Sequence, residues 1–272
     1  MLPSFRRRTA IAAALSIALF SAGGALQAQE KKTLKVGVSV GSGEQIFEVV
    51  KKAAAREGLT LDVIVFNDYQ LPNAALAAGD LDANAFQHQP FLDNQNKSRG
   101  FDIVPVGLTI TAPLGFYSRK IKSIAELPDG ASVGIQNDPS NGNRALLLLQ
   151  EAKLITLKPE AVKNNTATPL DVVSNPKKLK LVPLDAAQLP RSLDDVDYAF
   201  VNGNYALASG LKLTSALALE KIPDYYMNLV AVKTADLNKP FVKDIRDAYQ
   251  SAEFKAVAQQ RFAGFVPPAY QK

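Results

Sequence analysis

From Thr33 onward, short apolar segments typical of β-strands alternate with longer segments whose apolar residues recur at helical spacing. The first three segments are TLKVGVSV, EQIFEVVKKAAARE and LDVIVF, which predict a strand, a helix and a second strand. A helix near Pro72, a strand at Ala83–Phe86, a helix over Pro90–Ser98 and a strand at 101–107 continue the pattern. The chain is therefore predicted to be an α/β protein.

The segment LTITAPLGFYS at 108–118 is apolar and β-rich, but Pro113 and Gly115 interrupt it. Such a break is typical of the place where a chain leaves one domain for another. A second α/β set follows, with a short helix at 123–127 and a longer one over Asn143–Lys153. The segment NLVAVK then predicts a returning strand, and PFVKDIRDAYQ and FKAVAQQRFAG predict two closing helices, which we assign to the first domain.

These segments divide the chain into two lobes. We predict that residues 29–113 and 228–272 form the first lobe, that residues 114–227 form the second, and that two crossovers join them. Clefts between domains are preferred ligand sites. We therefore expect a ligand between the lobes, although a two-domain enzyme fits the same outline.

The N-terminus has the three parts of a cleavable secretion signal. Three arginines, Arg6 to Arg8, precede an apolar run, Ala10–Phe20, that is too short to span a bilayer. Small residues and the sequence ALQA follow, so we predict a signal peptide at 1–28, cut after Ala28. General secretion and the twin-arginine pathway both remain open as export routes.

The charge and the absence of cysteine exclude several classes of protein. The formal net charge is +5, and three of the basic residues lie in the predicted signal peptide. No block of basic residues with interleaved aromatics follows, so no nucleic-acid partner is expected. The sequence contains no cysteine, which excludes disulfides and thiolate sites and leaves no residue to carry a lipid. We therefore expect a periplasmic protein without a lipid anchor.

Two motifs permit more than one interpretation. Gly41-Ser42-Gly43 lies between a strand and a helix, where it forms either a tight turn or an anion site. The spacing of a dinucleotide or P-loop motif is missing, which favours the turn. His88 is the only histidine, so a multi-histidine metal site is excluded, and the pattern alone favours a structural role.

The segment NDPSNGNRALLLLQ suits a capped helix that carries Arg144 in its first turn. An arginine there opposes the helix dipole, unless it receives a carboxylate together with nearby donors. An exposed arginine on a capped helix is the equally acceptable alternative. Asn202 follows a predicted strand, where turn chemistry also explains it. Asn228 stands at a candidate hinge.

Four segments, in the same order along the chain, resemble the methionine-binding proteins of the NlpA lipoprotein family. They are FNDYQLPNAALAAGDLDANAFQHQPFLD, NDPSNGNRALLLLQ, LDVVSNPKKLKLVPLDAAQLPRSLDD and VNGNYA. The resemblance implies a type II-like periplasmic-binding-protein fold, with a ligand cleft between two lobes joined by two crossovers. It also implies that the protein serves an ABC importer made of a permease and an ATPase. The family usually carries a lipid-anchoring cysteine, which this chain lacks.

The resemblance assigns three residues to the ligand side chain: Tyr69 of FNDY, and Phe86 and His88 of NAFQH. Favourable contacts between sulfur and aromatic rings suit the thioether of methionine.

The resemblance assigns four further residues to the ligand head group. Arg144, with Asn141 beside it, is expected to hold the carboxylate, and Asn202 and Asn228 are expected to orient the amino and carboxylate groups. A desolvated charged group needs such directional partners.

We therefore expect a binding protein that delivers methionine, first of all the L enantiomer, without a cofactor. Another amino acid or a methionine-containing dipeptide is the alternative ligand. An enzyme on the same scaffold and a surface adhesin are the rival classes, because fold does not determine function.

Overall fold

The computed structural model describes residues 33–56 and 58–269, so the predicted signal peptide at 1–28 lies outside the described residues. The strands of this part form two five-stranded sheets and one two-stranded sheet. None of its helices is long and apolar enough to cross a membrane.

The first sheet is built from the βαβ unit that the sequence predicts. Its strands β1, β2 and β3 are parallel, whereas β12 runs antiparallel to both of its neighbours. In spatial order the strands are β2 (Thr60–Phe66), β1 (Thr33–Ser39), β3 (Ala83–His88), β12 (Asn228–Lys233) and β4 (Ile103–Leu108). The return strand β12 therefore places a late part of the chain inside the sheet that the first four strands form.

The second sheet combines parallel and antiparallel pairs: β6 is parallel to β9 and β10, and β5 is antiparallel to β10 and β11. In spatial order the strands are β11 (Ala218–Leu219), β5 (Gly115–Tyr117), β10 (Tyr198–Val201), β6 (Ser132–Gln136) and β9 (Lys180–Leu184). A two-stranded sheet pairs β7 (Thr156–Leu157) with β8 (Val172–Ser174).

Helices cover both sheets. The described helices are α1 (Ser42–Arg56), α2 (Leu71–Ala78), α3 (Gln89–Arg99), α4 (Pro139–Glu151), α5 (Pro159–Asn164), α6 (Leu189–Ser192), α7 (Gly203–Ala208), α8 (Pro240–Gln250) and α9 (Ala252–Arg261).

The closing helices α8 and α9 share the core of the first sheet, as expected from their apolar spacing. In α8, Phe241, Ile245 and Tyr249 recur four residues apart and are buried. The Tyr249 ring packs edge-on against Phe47 of α1, with 5.9 Å between centroids. The C-terminal part of the chain therefore stabilises the sheet that its N-terminal part begins.

The architecture is the two-lobed periplasmic-binding-protein fold. We call the first sheet with α1–α3, α8 and α9 the first lobe, and the second sheet with its helices the second lobe. The chain crosses between the sheets twice, from β4 to β5 and from β11 to β12. The boundaries at 113/114 and 227/228 stay predictions; the first falls between β4 and β5, and the second falls immediately before β12.

Two predicted helices differ from the observed ones. Helix α4 begins at Pro139 rather than Asn143, because the Asp138 side chain caps it by accepting a 2.9 Å hydrogen bond from the Asn141 N–H. The predicted short helix at 123–127 is only a single 3₁₀ turn, Ile124–Glu126. Because α4 begins at Pro139, Asn141 and Gly142 lie inside the helix, although an Asn-Gly pair is common in turns.

Candidate functional site

The seven residues proposed for ligand contact all line one pocket between the lobes: Tyr69, Phe86, His88, Asn141, Arg144, Asn202 and Asn228. They come from both lobes, and Asn228 of the first lobe begins the return strand β12. The pocket is narrow, with a cavity volume of about 30 Å³.

One end of the pocket is aromatic. Tyr69 follows β2 and Phe86 lies on β3, and their ring centroids are 6.0 Å apart. Phe91 of α3 lies 5.9 Å from both rings, edge-on to each. These edge-on pairs form a preorganised apolar surface.

His88 has both a structural contact and a position in the pocket. Its Nδ1 accepts a 3.2 Å hydrogen bond from the Phe91 N–H and so caps α3. This assigns the ring proton to Nε2, which lies 3.3 Å from the Asn141 side-chain oxygen. Burial, and then the nearby Arg144 cation, lower the pKa of His88 to about 3. His88 is therefore a neutral hydrogen-bond donor near pH 7.

Asn141 is the centre of the polar end. Its Oδ1 accepts hydrogen bonds from Arg144 Nη1 at 2.8 Å and Asn202 Nδ2 at 3.0 Å, in addition to its contact with His88. Its Nδ2 donates to both carboxylate oxygens of Asp138, at 3.1 and 3.0 Å. The N-cap of α4 therefore orients the amide that holds the other polar side chains.

Arg144 lies in the second turn of α4, not in the first turn as predicted, because the helix begins at Pro139. Its Nε donates to Glu220 Oε1 at 3.0 Å and its Nη2 to Oε2 at 2.5 Å, which makes a two-point ion pair. The two side chains are only 4% and 5% exposed. The guanidinium carbon also lies 4.9 Å from the centroid of the Tyr226 ring.

The ion pair stabilises the charged form of Arg144. Burial disfavours the cation, but the Glu220 carboxylate outweighs burial and raises the pKa of Arg144. Three of the five N–H groups of the guanidinium are used by Glu220 and Asn141. The remaining two, one on each terminal nitrogen, can donate to a carboxylate.

Asn202 and Asn228 are held differently. Asn202 precedes α7, and its Oδ1 accepts a 2.8 Å hydrogen bond from Gln136 Nε2. Asn228 begins β12 opposite His88, and its backbone N–H donates to Thr111 Oγ1 at 2.7 Å. Within the described part of the chain, the Asn228 side-chain amide makes no hydrogen bond. It is therefore free to donate and accept in the pocket.

The Gly41 motif is a turn at an interface between the lobes. Gly41 has φ 85°, and its N–H donates to the Glu44 side chain at 3.2 Å. A Cβ at this position would lie 2.2 Å from the carbonyl oxygen of Asn204. Glycine is therefore required both by the backbone conformation and by the close approach of the second lobe.

Sequence reasoning missed several residues of the site. Phe91 stands inside one of the resembling segments, three residues after His88 at helical spacing, so a signal was present. Asn204 lies two residues after Asn202, inside the resembling segment VNGNYA. Glu220 carried one weak signal, an isolated acid at the end of the apolar run ALALE, and its pairing with Arg144 becomes visible only in the structure. In the described residues, no cluster of three or more His, Asp or Glu side chains is suited to a metal ion.

A family model described as NlpA lipoprotein matches residues 34–270. The chain belongs to the NlpA lipoprotein family. The family expected from the four sequence segments is thereby confirmed.

Curated relatives and solved structures agree with this family. The chain is 44% identical over 266 residues to the D-methionine-binding lipoprotein MetQ of Salmonella typhi. This match covers 96% of this chain and 97% of the relative. It is 47% identical over 235 residues to the protein of the same name from Escherichia coli K12, with 85% and 86% covered.

Among solved structures, a nutrient-binding protein from Burkholderia cenocepacia bound to methionine superposes with a TM-score of 0.83 at 52% identity. The match covers 86% of this chain and 99% of that protein. A crystal structure of the methionine-binding protein MetQ superposes with a TM-score of 0.82 at 45% identity, with 87% and 98% covered.

Proposed function

We propose that this protein is the substrate-binding component of an ABC importer and that it binds methionine in the pocket between its lobes. The observation that carries this proposal is the pocket itself, which joins an aromatic end to a polar end that contains the buried Arg144. The names of the relatives MetQ and the methionine in the Burkholderia structure support it.

The two ends of the pocket match the two ends of methionine. Tyr69, Phe86 and Phe91 offer ring surfaces to a thioether, and each sulfur–aromatic contact contributes about 0.3–1.5 kcal/mol. The two free N–H groups of Arg144 can receive the carboxylate, and the Asn228 amide can serve either head group. The pocket thereby offers apolar contacts to the thioether and hydrogen-bond partners to the desolvated head group.

We propose further that the two lobes, 29–113 with 228–272 and 114–227, separate to admit the ligand and close on it. Residues of both lobes line the pocket, so entry of a ligand requires an open arrangement. The permease and ATPase of the importer are the partners expected to recognise the closed form.

A binding role is favoured over catalysis by the state of His88. It is the only histidine of the chain, its Nδ1 is used as a helix cap, and its pKa is lowered to about 3. An imidazole in this state is not a general base near neutral pH.

A thermal-shift and titration screen tests the ligand. The protein is unfolded and refolded to remove any bound ligand, and the twenty amino acids, both methionine enantiomers and a methionine dipeptide are added separately. At 100 times Kd, a ligand stabilises the folded form by about 2.7 kcal/mol. Methionine should rank first. A clear preference for another amino acid would refute the ligand assignment, and no response to any compound would refute the binding role.

The location is proposed separately. The relatives are named lipoproteins, whereas this sequence contains no cysteine. We propose secretion to the periplasm with cleavage after Ala28 and no lipid anchor. N-terminal sequencing and a salt wash of the membrane fraction test this, with mature protein that begins at Gln29 in the soluble fraction as the expected result. Recovery only in detergent would contradict the unanchored form.

A further inference from the structure

Arg144 is the only residue with a permanent charge among the described residues that line the pocket. His88 is neutral, because burial and Arg144 lower its pKa to about 3. An unpaired guanidinium would therefore give the pocket a net positive charge. Such a pocket would favour a simple carboxylate over an amino acid, because the ligand ammonium group would be repelled.

Glu220 removes this net charge. Its carboxylate contacts Arg144 through both oxygens while remaining outside the lining of the pocket, on the side of the guanidinium away from Asn141. Both side chains are almost completely buried, so solvent does not screen the pair. The other nearby carboxylate, Asp138, does not line the pocket; it accepts hydrogen bonds from Asn141 and Ser140 at the N-cap of α4, where the positive end of the helix dipole offsets its charge.

The position of Glu220 is fixed by both crossovers. Its backbone N–H donates to the Leu114 carbonyl at 2.9 Å, and its Oε2 accepts a 3.2 Å hydrogen bond from the Leu114 N–H. Leu114 belongs to the first connection between the sheets and Glu220 to the second. The counter-ion of Arg144 is therefore held rigidly and does not depend on a mobile surface side chain.

We propose that Glu220 is a specificity-determining positioning residue: it makes the head-group site neutral overall, so that the site selects zwitterionic ligands over simple carboxylates. Glu220 acts through Arg144 and does not touch the ligand. It fixes the fork that receives the carboxylate and supplies the negative charge that offsets repulsion of the ammonium group. This inference rests on the proposed binding of an amino acid.

Glu220→Gln tests the charge with little change in shape. Affinities are measured by titration for methionine and for 4-(methylthio)butanoate, the same molecule without its amino group. The wild type should prefer methionine strongly. In Glu220→Gln, the ratio of the two affinities should move toward the simple carboxylate by about tenfold or more. Methionine amide, which is a cation, should lose affinity by a larger factor than methionine.

Glu220→Asp is the matched variant, because it keeps the charge and shortens the side chain. It should bind both ligands more weakly but with the wild-type ratio. Equal weakening of both ligands in Glu220→Gln would overturn the proposal, because it would show a purely structural role. If Glu220→Gln does not fold, a shift of the ratio in Glu220→Asp toward the simple carboxylate overturns the proposal and an unchanged ratio supports it. Failure of the wild type to bind methionine would instead refute the proposed function.

Discussion

The hydroxyl of Tyr69 donates a 2.5 Å hydrogen bond to the side-chain oxygen of Asn204, and these residues are 135 positions apart and on different lobes. A second link joins the lobes in the opposite sense, from the Tyr205 hydroxyl to the Asn67 carbonyl at 3.1 Å. The rings of Tyr69 and Tyr205 lie 4.9 Å apart between these bonds. The closed arrangement is therefore stabilised by the same aromatic residue that lines the pocket.

We predict that Tyr69→Phe weakens ligand binding while it preserves the aromatic end of the pocket. The variant loses the bond to Asn204, which contributes roughly 0.5–1.5 kcal/mol to closure. The Kd should rise roughly two- to tenfold. Tyr225→Phe is the control, because the Tyr225 hydroxyl bonds Asn165 within the second lobe at 3.3 Å. Unchanged affinity in Tyr69→Phe would show that this bond does not contribute to closure.

Gly41→Ala should impair closure by a steric mechanism. The added Cβ would lie 2.2 Å from the Asn204 carbonyl oxygen. Because this oxygen belongs to the backbone of the second lobe, the clash is removed only if the lobes separate. Small-angle scattering should therefore show a more open average shape at saturating ligand, and titration should show weaker binding.

Gly58→Ala is the matched control for Gly41→Ala. Gly58 also has a positive φ of 78°, but nothing lies within 4 Å of an added Cβ. It carries the same backbone strain of roughly 1–2 kcal/mol without the contact between lobes. Equal losses of binding in the two variants would attribute the effect to strain alone.

The start of helix α4 and the pocket between the lobes show how much of the structure could be predicted from the sequence. Strand β1 and helix α8 could be predicted because their apolar residues repeat at strand or helix spacing, a local property of the chain. The start of α4 was misplaced by four residues, at Asn143 instead of Pro139. The Asp138 cap and Pro139 were the stronger signal.

The non-local parts of the site could not be predicted. The ion pair of Arg144 joins residues 76 positions apart, and the contact of Gly41 with Asn204 depends on how the lobes close. The seven residues assigned from the resemblance nevertheless line one pocket, and their contact with a ligand stays a prediction. Resemblance supplied what periodicity could not.

His88 provides a direct test of the polar end, because it is the only histidine and gives a single set of imidazole NMR signals. Burial and the Arg144 cation lower its pKa to about 3. The ring signals should therefore remain those of the neutral form, with the proton on Nε2, down to about pH 4. A titration midpoint near the ordinary value of about 6.5 would contradict the buried, neutral assignment.

The same pKa predicts how stability depends on pH. Between about pH 6.5 and about pH 3, the unfolded chain binds a proton at His88 that the folded chain does not bind. The contribution of neutral His88 to the free energy of unfolding is therefore complete above about pH 6.5 and decreases as the pH falls toward 3. The slope reaches at most about 1.4 kcal/mol per pH unit.

His88→Asn isolates this contribution, because asparagine keeps an acceptor for the Phe91 N–H. Denaturation at a series of pH values should show a shallower loss of stability in the variant between pH 6.5 and 4. Carboxylates also titrate in this range, but they do so in both proteins and therefore do not change the difference between the two curves. One of them is Asp197, whose pKa is lowered to about 2 by the hydrogen bond from the Ser132 N–H. Parallel curves for the two proteins would disprove the depressed pKa of His88.

Arg144 is expected to contribute separately to folding and to ligand binding, and two variants can divide these roles. Arg144→Met leaves the Glu220 carboxylate buried without its partner, which should lower the free energy of unfolding by roughly 3–5 kcal/mol. It also removes the partner of the ligand carboxylate, at a cost of roughly 2–5 kcal/mol of binding energy. Methionine affinity should therefore fall by about 30-fold or more.

The double variant Arg144→Met/Glu220→Gln should recover much of the lost stability, because no unpaired charge remains and glutamine still accepts from the Leu114 N–H. It should not recover methionine affinity, because the guanidinium fork is still absent. Chemical denaturation and calorimetric titration on refolded protein measure the two quantities independently. Arg191→Met, at an exposed position of α6, is the control and should change neither. If the double variant regained both stability and affinity, Arg144 would be a structural residue only, and the carboxylate of the ligand would have to be held by the asparagines.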